Sequence, residues 1–176
     1  EYMMSLKTLA TLVSVFVSLS FLSACGGGGL EPPKTETMVD LGNAVLKAFR
    51  TGDSELLKSL CAGPDDFDEV NAAHEAAPGH HNPESLRREL ERIPEQNLQD
   101  FKKILKRTRA LKVDWERIYL YPLKEPKTRG GKGLSITREG SLLIRFRWNN
   151  SDHSIYLDDC CKLIGGWRLV DGIRLD

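Results

Sequence analysis

Residues 141–149, SLLIRFRWN, decide the fold class, because apolar and polar side chains alternate along them with the period of a strand. Two further apolar segments follow, at 154–163 and 167–175. The turn-forming residues Asn149-Asn150-Ser151-Asp152 and Gly165-Gly166 precede them. We therefore predict an antiparallel meander, with an earlier alternating segment, 113–123, as a fourth strand.

The chain before these strands has helical periodicity instead. Residues 36–50 place apolar side chains on one stripe, and Gly52 and Asp53 predict the end of that helix and the N-cap of the next. The second helix would bury Leu56, Leu57, Leu60 and Cys61. Further helices are predicted at 65–77, 84–92 and 95–111. Helices followed by an antiparallel meander predict an α+β domain, with the helices packed on one face of a curved sheet.

Another apolar segment lies near the N-terminal end. Residues 9–22 (LATLVSVFVSLSFL) follow Lys7 and are short for a membrane span, but they match the apolar region of a secretory signal peptide. The segment ends in Leu22-Ser23-Ala24-Cys25, with small residues before the cysteine. The four glycines 26–29 and the Pro32-Pro33 pair follow and predict a tether.

Leu22-Ser23-Ala24-Cys25 resembles the lipobox of bacterial lipoproteins. The resemblance implies that residues 1–24 are removed as a signal peptide and that Cys25 carries a diacylglyceryl membrane anchor. Residues 25–35 would then tether a single domain, 36–176, that faces the periplasm or the exterior from the cell membrane or the outer membrane. In a Gram-negative cell, Gly26 in place of the family's retention aspartate favours the outer membrane.

The charge balance gives no general attraction to polyanions. The 176 residues include 25 bases and 25 acids, and removing residues 1–24 takes away one of each, Lys7 and Glu1. The mature chain is therefore also neutral, and nucleic acid is not an expected partner.

Two segments resemble the nuclear-transport-factor-like, or cystatin-like, cone fold of secreted bacterial proteins. Residues 45–53, followed by Leu56-Leu57, look like its opening helix, Gly-Asp step and second helix, and 165–171 (GGWRLVD) looks like its final strand. The resemblance implies a curved sheet of about four strands. Members of this fold include enzymes, ligand carriers and interaction modules, so the fold alone selects no chemistry.

Aromatic side chains on the predicted strands are candidates for lining an apolar pocket under such a sheet. They are Trp115, Tyr119, Phe146, Trp148 and Trp167. The alternative is that these rings fill the core. An enzyme of this fold would use a pocket aspartate or histidine as general base, and His153, Asp158 and Asp159 are the candidates. No nucleophile triad, phosphate loop or paired-carboxylate pattern stands out.

Three cysteines besides Cys25 lie in a domain that is expected to be in an oxidising compartment. Cys61, Cys160 and Cys161 allow at most one internal disulfide. A bridge from Cys61 would tie the second helix to the sheet, and only one of two adjacent strand residues can face the helices. A vicinal Cys160–Cys161 bridge and three reduced thiols are the alternatives.

Two polar clusters suggest further ligands. His74, His80 and His81 suit zinc or copper, although their spacing is not the i, i+4 of a helical pair, and the alternative is a polar loop. A basic run on the 95–111 helix suits phospholipid headgroups or another polyanion, and the alternative is a solvated helix face. The run comprises Lys102, Lys103, Lys106, Arg107, Arg109 and Lys112.

Three functional hypotheses follow. The first is a lipid-tethered, non-enzymatic module that binds an envelope protein or a small ligand and needs no cofactor. The second is a cone-fold enzyme with a pocket Asp or His base. The third is a metal-binding lipoprotein. We place the first ahead, because the anchor and tether are present and no catalytic pattern stands out.

Overall fold

The computed structural model describes residues 33–76, 82–122 and 139–176. The predicted signal peptide, Cys25 and most of the tether lie outside these residues. The helices are α1 (Met38–Thr51), α2 (Ser54–Ser59), a 3-10 turn (Pro64–Asp66), α3 (Phe67–Ala76) and α4 (Pro83–Ala110). The strands are β1 (Tyr119–Leu120), β2 (Glu139–Trp148), β3 (Ser151–Leu163), β4 (Gly166–Leu169) and β5 (Ile173–Leu175). The predicted α+β class is confirmed, since the helices pack with a curled antiparallel sheet.

The junction between α1 and α2 is built as its sequence predicts. Gly52 ends α1 with a φ of 69°, a left-handed conformation that a glycine adopts without steric cost. The Asp53 carboxylate then accepts a hydrogen bond of 2.9 Å from the backbone N–H of Leu56, which caps α2.

Helix α4 corrects one prediction. The sequence suggested two helices, 84–92 and 95–111, on either side of Pro94, but the structure has one helix of 28 residues. A proline inside a helix costs about 3 kcal/mol. One continuous stripe of side chains is buried on both sides of Pro94, namely Leu86, Leu90, Ile93, Leu98, Phe101 and Ile104. Each such side chain stabilises the fold by about 1.5–3 kcal/mol when buried, so the stripe outweighs the proline.

Strand β3 is the long central strand of the sheet. It pairs with β2 on one side, and on the other side its two halves pair with β4 and β5. The break between β4 and β5 lies opposite Asp159, which has a φ of 41° and whose carbonyl accepts from the N–H groups of both Val170 and Asp171. The predicted last strand, 167–175, is therefore one interrupted strand, and the sheet has the four strands that were expected.

The two ends of β3 are closed by different turns. Asn149 and Asn150 connect β2 to β3, and both have positive φ, as a two-residue hairpin turn requires. At the other end, Ile164 and Gly165 connect β3 to β4.

Strand β1 is shorter than predicted where it is described. Of the predicted strand 113–123, the described part has strand geometry at Tyr119–Leu120 alone, and Trp115 lies in a turn before it. None of the described helices is long and apolar enough to cross a membrane.

Thr35 belongs to the domain, although the sequence placed it in the tether. It is fully buried and pairs in parallel with Gly166. Its carbonyl accepts from the N–H of Trp167 at 2.7 Å, and its hydroxyl donates to the Trp167 carbonyl at 2.8 Å. Gly166 has a φ of 117°, and a Cβ there would lie 2.5 Å from the Thr35 hydroxyl oxygen. The close approach therefore requires glycine at 166.

We expect Gly166→Ala to destabilise the domain by about 2 kcal/mol or more, because the new methyl group combines a disfavoured φ with a clash against Thr35. Urea denaturation followed by circular dichroism measures the change. Gly52→Ala is the matched control, since Gly52 also has a positive φ but nothing lies within 4 Å of the added Cβ, and about 1 kcal/mol is expected. Equal losses in the two variants would show that the contact with Thr35 contributes nothing.

Candidate functional site

Three of the five aromatic pocket candidates fill the core. Phe146 and Trp167 are buried. Trp115 is partly buried, stacks on Phe49 with ring centroids 5.3 Å apart, and lies 5.5 Å from the ring of Phe146. The rings of Trp115 and Phe146 pack against each other and Trp167 is buried elsewhere in the core, so these three fill the core, as the alternative interpretation of the sequence proposed.

The other two candidates, Trp148 and Tyr119, lie apart from these packed rings. Trp148 is partly buried at the end of β2, where its indole N–H donates to the carbonyl of Leu111 at 3.4 Å. Tyr119 is 72% exposed and lies edge-on to Tyr121. The five rings are thus divided between core and surface, and the structure does not bring them together around one space.

The candidate acid–base residues are also engaged separately. The His153 ring stacks on Phe146 at 5.3 Å. The Asp158 carboxylate accepts from the Arg174 guanidinium at 2.7 and 3.4 Å, and Asp159 is exposed opposite the break between β4 and β5. These contacts do not pair a histidine with either aspartate.

The histidine cluster falls mostly outside the described residues. His80 and His81 lie there, and His74 is in α3 with its side chain not described. In the part of the chain that is described, no group of three or more His, Cys, Asp or Glu side chains could hold a metal ion. Metal binding by His74, His80 and His81 therefore stays a prediction.

Five residues of the basic run lie on the C-terminal half of α4, Lys112 follows the helix, and all six side chains are exposed. Lys103 pairs with Asp100 at 2.8 Å, and Arg107 donates to the carbonyl of Leu175 at 3.2 Å. Cations at this end of a helix are favoured by its dipole. Because Leu111 accepts from Trp148, this basic end of α4 lies beside the β2–β3 turn.

The three cysteines of the domain are buried thiols, with no disulfide among them in the described chain. Cys61 pairs in parallel with Leu169, and Leu169 pairs with Cys160 on its other side. Two strand spacings, about 9–10 Å in total, therefore separate Cys61 from Cys160. A disulfide tolerates a Cα separation of up to about 7 Å, so a bridge from Cys61 to Cys160, one of the two partners that the sequence allowed, would require the backbone to move.

Burial controls the chemistry of these thiols. It raises the pKa of Cys61 to about 12, although the nearby Arg168 opposes the shift, and it also raises the pKa of Cys160. Since the thiolate is the reactive form, neither residue is poised as a nucleophile at neutral pH.

We expect the Cys61 thiol of the folded protein to be alkylated on the order of a thousandfold more slowly than an exposed cysteine at pH 8, because burial suppresses its thiolate. Mass spectrometry of iodoacetamide-treated protein measures this. Ile164→Cys supplies the exposed control thiol. Denaturation in urea without reductant should make Cys61 react fully. A Cys61 that still resists alkylation after denaturation would instead show that it forms a disulfide.

The described residues form a cleft of about 460 Å³ between α2, the 3-10 turn, α4 and β4. Its floor includes the buried Cys61, and Pro94 of α4 forms part of one wall. Charges of both signs line it: the acids are Glu55, Asp65 and Asp66, and the bases are Lys58 and Arg168. Charged groups therefore share the lining of this cleft with apolar surface, and none of the five aromatic candidates lines it.

Hydrogen bonds fix several of these side chains. Lys58 pairs with Glu95 at 2.8 Å, which raises the pKa of the lysine and lowers that of the glutamate. The Asp66 carboxylate accepts from the backbone N–H of Gly63 at 2.9 Å. Arg168 donates to the Thr35 hydroxyl at 3.2 Å and to the Trp167 carbonyl at 3.3 Å. These two acceptors are neutral oxygens, so they orient the guanidinium without neutralising its charge.

The sequence did not single out this cleft. Its residues come from segments that are far apart in the chain, and Asp65 and Asp66 have a sufficient local explanation as acids at a helix N-terminus. Arg168 follows Gly165-Gly166-Trp167, but nothing in that motif indicates where its side chain lies. The pairing of the Thr35 segment with β4 positions the Arg168 side chain.

Comparison of the chain with protein-family models, with curated proteins and with solved structures gives no match.

Proposed function

We propose that this chain is a membrane-anchored extracytoplasmic lipoprotein whose α+β domain binds a small charged ligand in the cleft beside Arg168. The observation that carries the anchor is the apolar segment 9–22 ending in Leu22-Ser23-Ala24-Cys25 and followed by four glycines. This order of parts is what export, cleavage and lipid attachment need.

The physical basis of the anchor is the number of acyl chains. Each buried methylene contributes about 0.8 kcal/mol, so one chain holds a protein marginally while two hold it stably. A diacylglyceryl group on Cys25 supplies at least two. The domain would then stay at the surface of the cell membrane or the outer membrane, facing the periplasm or the exterior.

The binding role is supported by the cleft. The guanidinium of Arg168 is held in place by neutral oxygens and keeps its positive charge for an anionic group of a ligand. The acids Glu55, Asp65 and Asp66 line the same cleft and suit a cationic group. A small zwitterion fits this arrangement better than an apolar ligand does. We propose no catalytic step, because the described contacts do not pair His153 with Asp158 or Asp159.

We expect Cys25→Ser to move the protein from the membrane fraction to the soluble fraction, because the serine cannot accept the thioether-linked lipid. Mass spectrometry of the detergent-extracted chain should show an N-terminus at Cys25 with the added mass of the acyl groups. Cys61→Ala is the control, since it removes a different thiol and should leave the protein in the membrane. A mature chain that lacks lipid at Cys25 would contradict the proposed anchor.

We expect the protein, when extracted from membranes, to retain a small molecule in native mass spectrometry. Arg168→Gln should weaken retention about tenfold or more, since it removes a charge-assisted hydrogen bond worth about 1.5–3 kcal/mol. Arg145→Gln is the control, because Arg145 is exposed on β2 and does not line the cleft. Absence of any retained mass from the unsubstituted protein would count against a small ligand and favour a protein partner.

A further inference from the structure

We propose that the β3–β4 turn, with Ile164 at its tip, contacts the lipid bilayer that anchors the protein. This inference rests on the proposed lipidation of Cys25 and adds which end of the domain faces the membrane. It places Ile164 at the boundary between the headgroups and the acyl chains.

The exposure of the Ile164 side chain is the first observation that supports this contact. Ile164 is 91% exposed, at the tip of the turn between β3 and β4. Isolated apolar side chains are common on protein surfaces and need no explanation by themselves. The position of this one relative to the tether is what gives it significance.

The tether joins the domain at the same turn. Thr35 pairs with Gly166, two residues after Ile164, and the Trp167 N–H donates to the Thr35 carbonyl at 2.7 Å. Ten residue steps separate Cys25 from Thr35. As a coil, a glycine-rich segment of this length spans roughly 17 Å, and fully extended it spans about 35 Å. The anchored lipid is therefore held close to the β3–β4 turn.

The opposite end of the domain is farther from the point where the tether joins it. Strand β3 runs from Ser151 to Leu163, a length of about 40 Å. The Asn149-Asn150 turn at its other end lies beyond the mean reach of the tether. The basic end of α4 lies at that far end, since Leu111 accepts from Trp148. On this geometry the exposed lysines and arginines of α4 face away from the bilayer.

The turn is also held rigidly enough to present its side chain. The backbone N–H of Ile164 donates to both carboxylate oxygens of Glu69 in α3, at 2.9 and 3.0 Å. The turn is thereby fixed to the helical layer, and the isoleucine side chain projects from it into solvent. A fixed apolar tip loses little conformational freedom when it enters the interface.

Site-specific fluorescence on the full lipidated protein tests the proposal. The variants Ile164→Cys and Asn150→Cys place one exposed thiol at each end of β3, and the buried native thiols react slowly. Each variant is labelled with an environment-sensitive dye and reconstituted in phospholipid vesicles. The unsubstituted protein serves as the labelling blank, and mass spectrometry establishes lipid on Cys25.

In lipidated protein we expect the dye at residue 164 to emit at shorter wavelength than the dye at 150. Aqueous iodide should quench it severalfold less. Equal quenching at both positions, or protection at 150 alone, would overturn the proposal while leaving the anchor intact. Protection at 150 alone would show that the basic end of α4 faces the bilayer instead. Absence of lipid on Cys25 would overturn the anchor and this inference together.

Discussion

The pairing of Thr35 with Gly166 is the contact on which the arrangement of this domain depends. It fixes the place where the chain enters the sheet, and it requires glycine at 166 because a Cβ would collide with the threonine. The hydroxyl of Thr35 also accepts from Arg168, so the same contact orients the one base of the cleft whose described hydrogen bonds go to neutral oxygens. A single residue next to the tether thus links the sheet edge, the cleft and the proposed membrane-facing turn.

The domain has two chemically different ends. At one end, the β3–β4 turn exposes Ile164. Arg168, in the strand that follows this turn, lines the cleft. At the other end, the last turns of α4 expose a series of positive charges next to the Asn149-Asn150 turn. With the proposed anchor on Cys25, whose tether would join the first end, the proposed ligand in the cleft would be bound near the bilayer, and the charged end would project away from it.

Burial of apolar side chains and thiols explains most of the positions at which the structure differs from the predictions made from local sequence patterns. The apolar stripe of α4 continues past Pro94, because losing several buried side chains costs more than one proline does. Trp115, Phe146 and Trp167 fill the core instead of lining a pocket, since packed aromatic rings stabilise a small domain directly. The thiols of Cys61 and Cys160 lie on either side of Leu169 and are shielded from solvent.

The sequence by itself determined the fold class, the helix α1 with its Gly52 end and Asp53 cap, and the β2–β3 hairpin, because each depends on residues close together in the chain. The lipobox resemblance is likewise a local pattern. The predicted lipid anchor on Cys25 depends on that pattern alone. The cleft, the position of Arg168 and the place of Thr35 in the sheet were decided by tertiary structure. Each of them depends on pairing between segments that are distant in the chain, and the spacing of residues within one segment carries no information about such pairing.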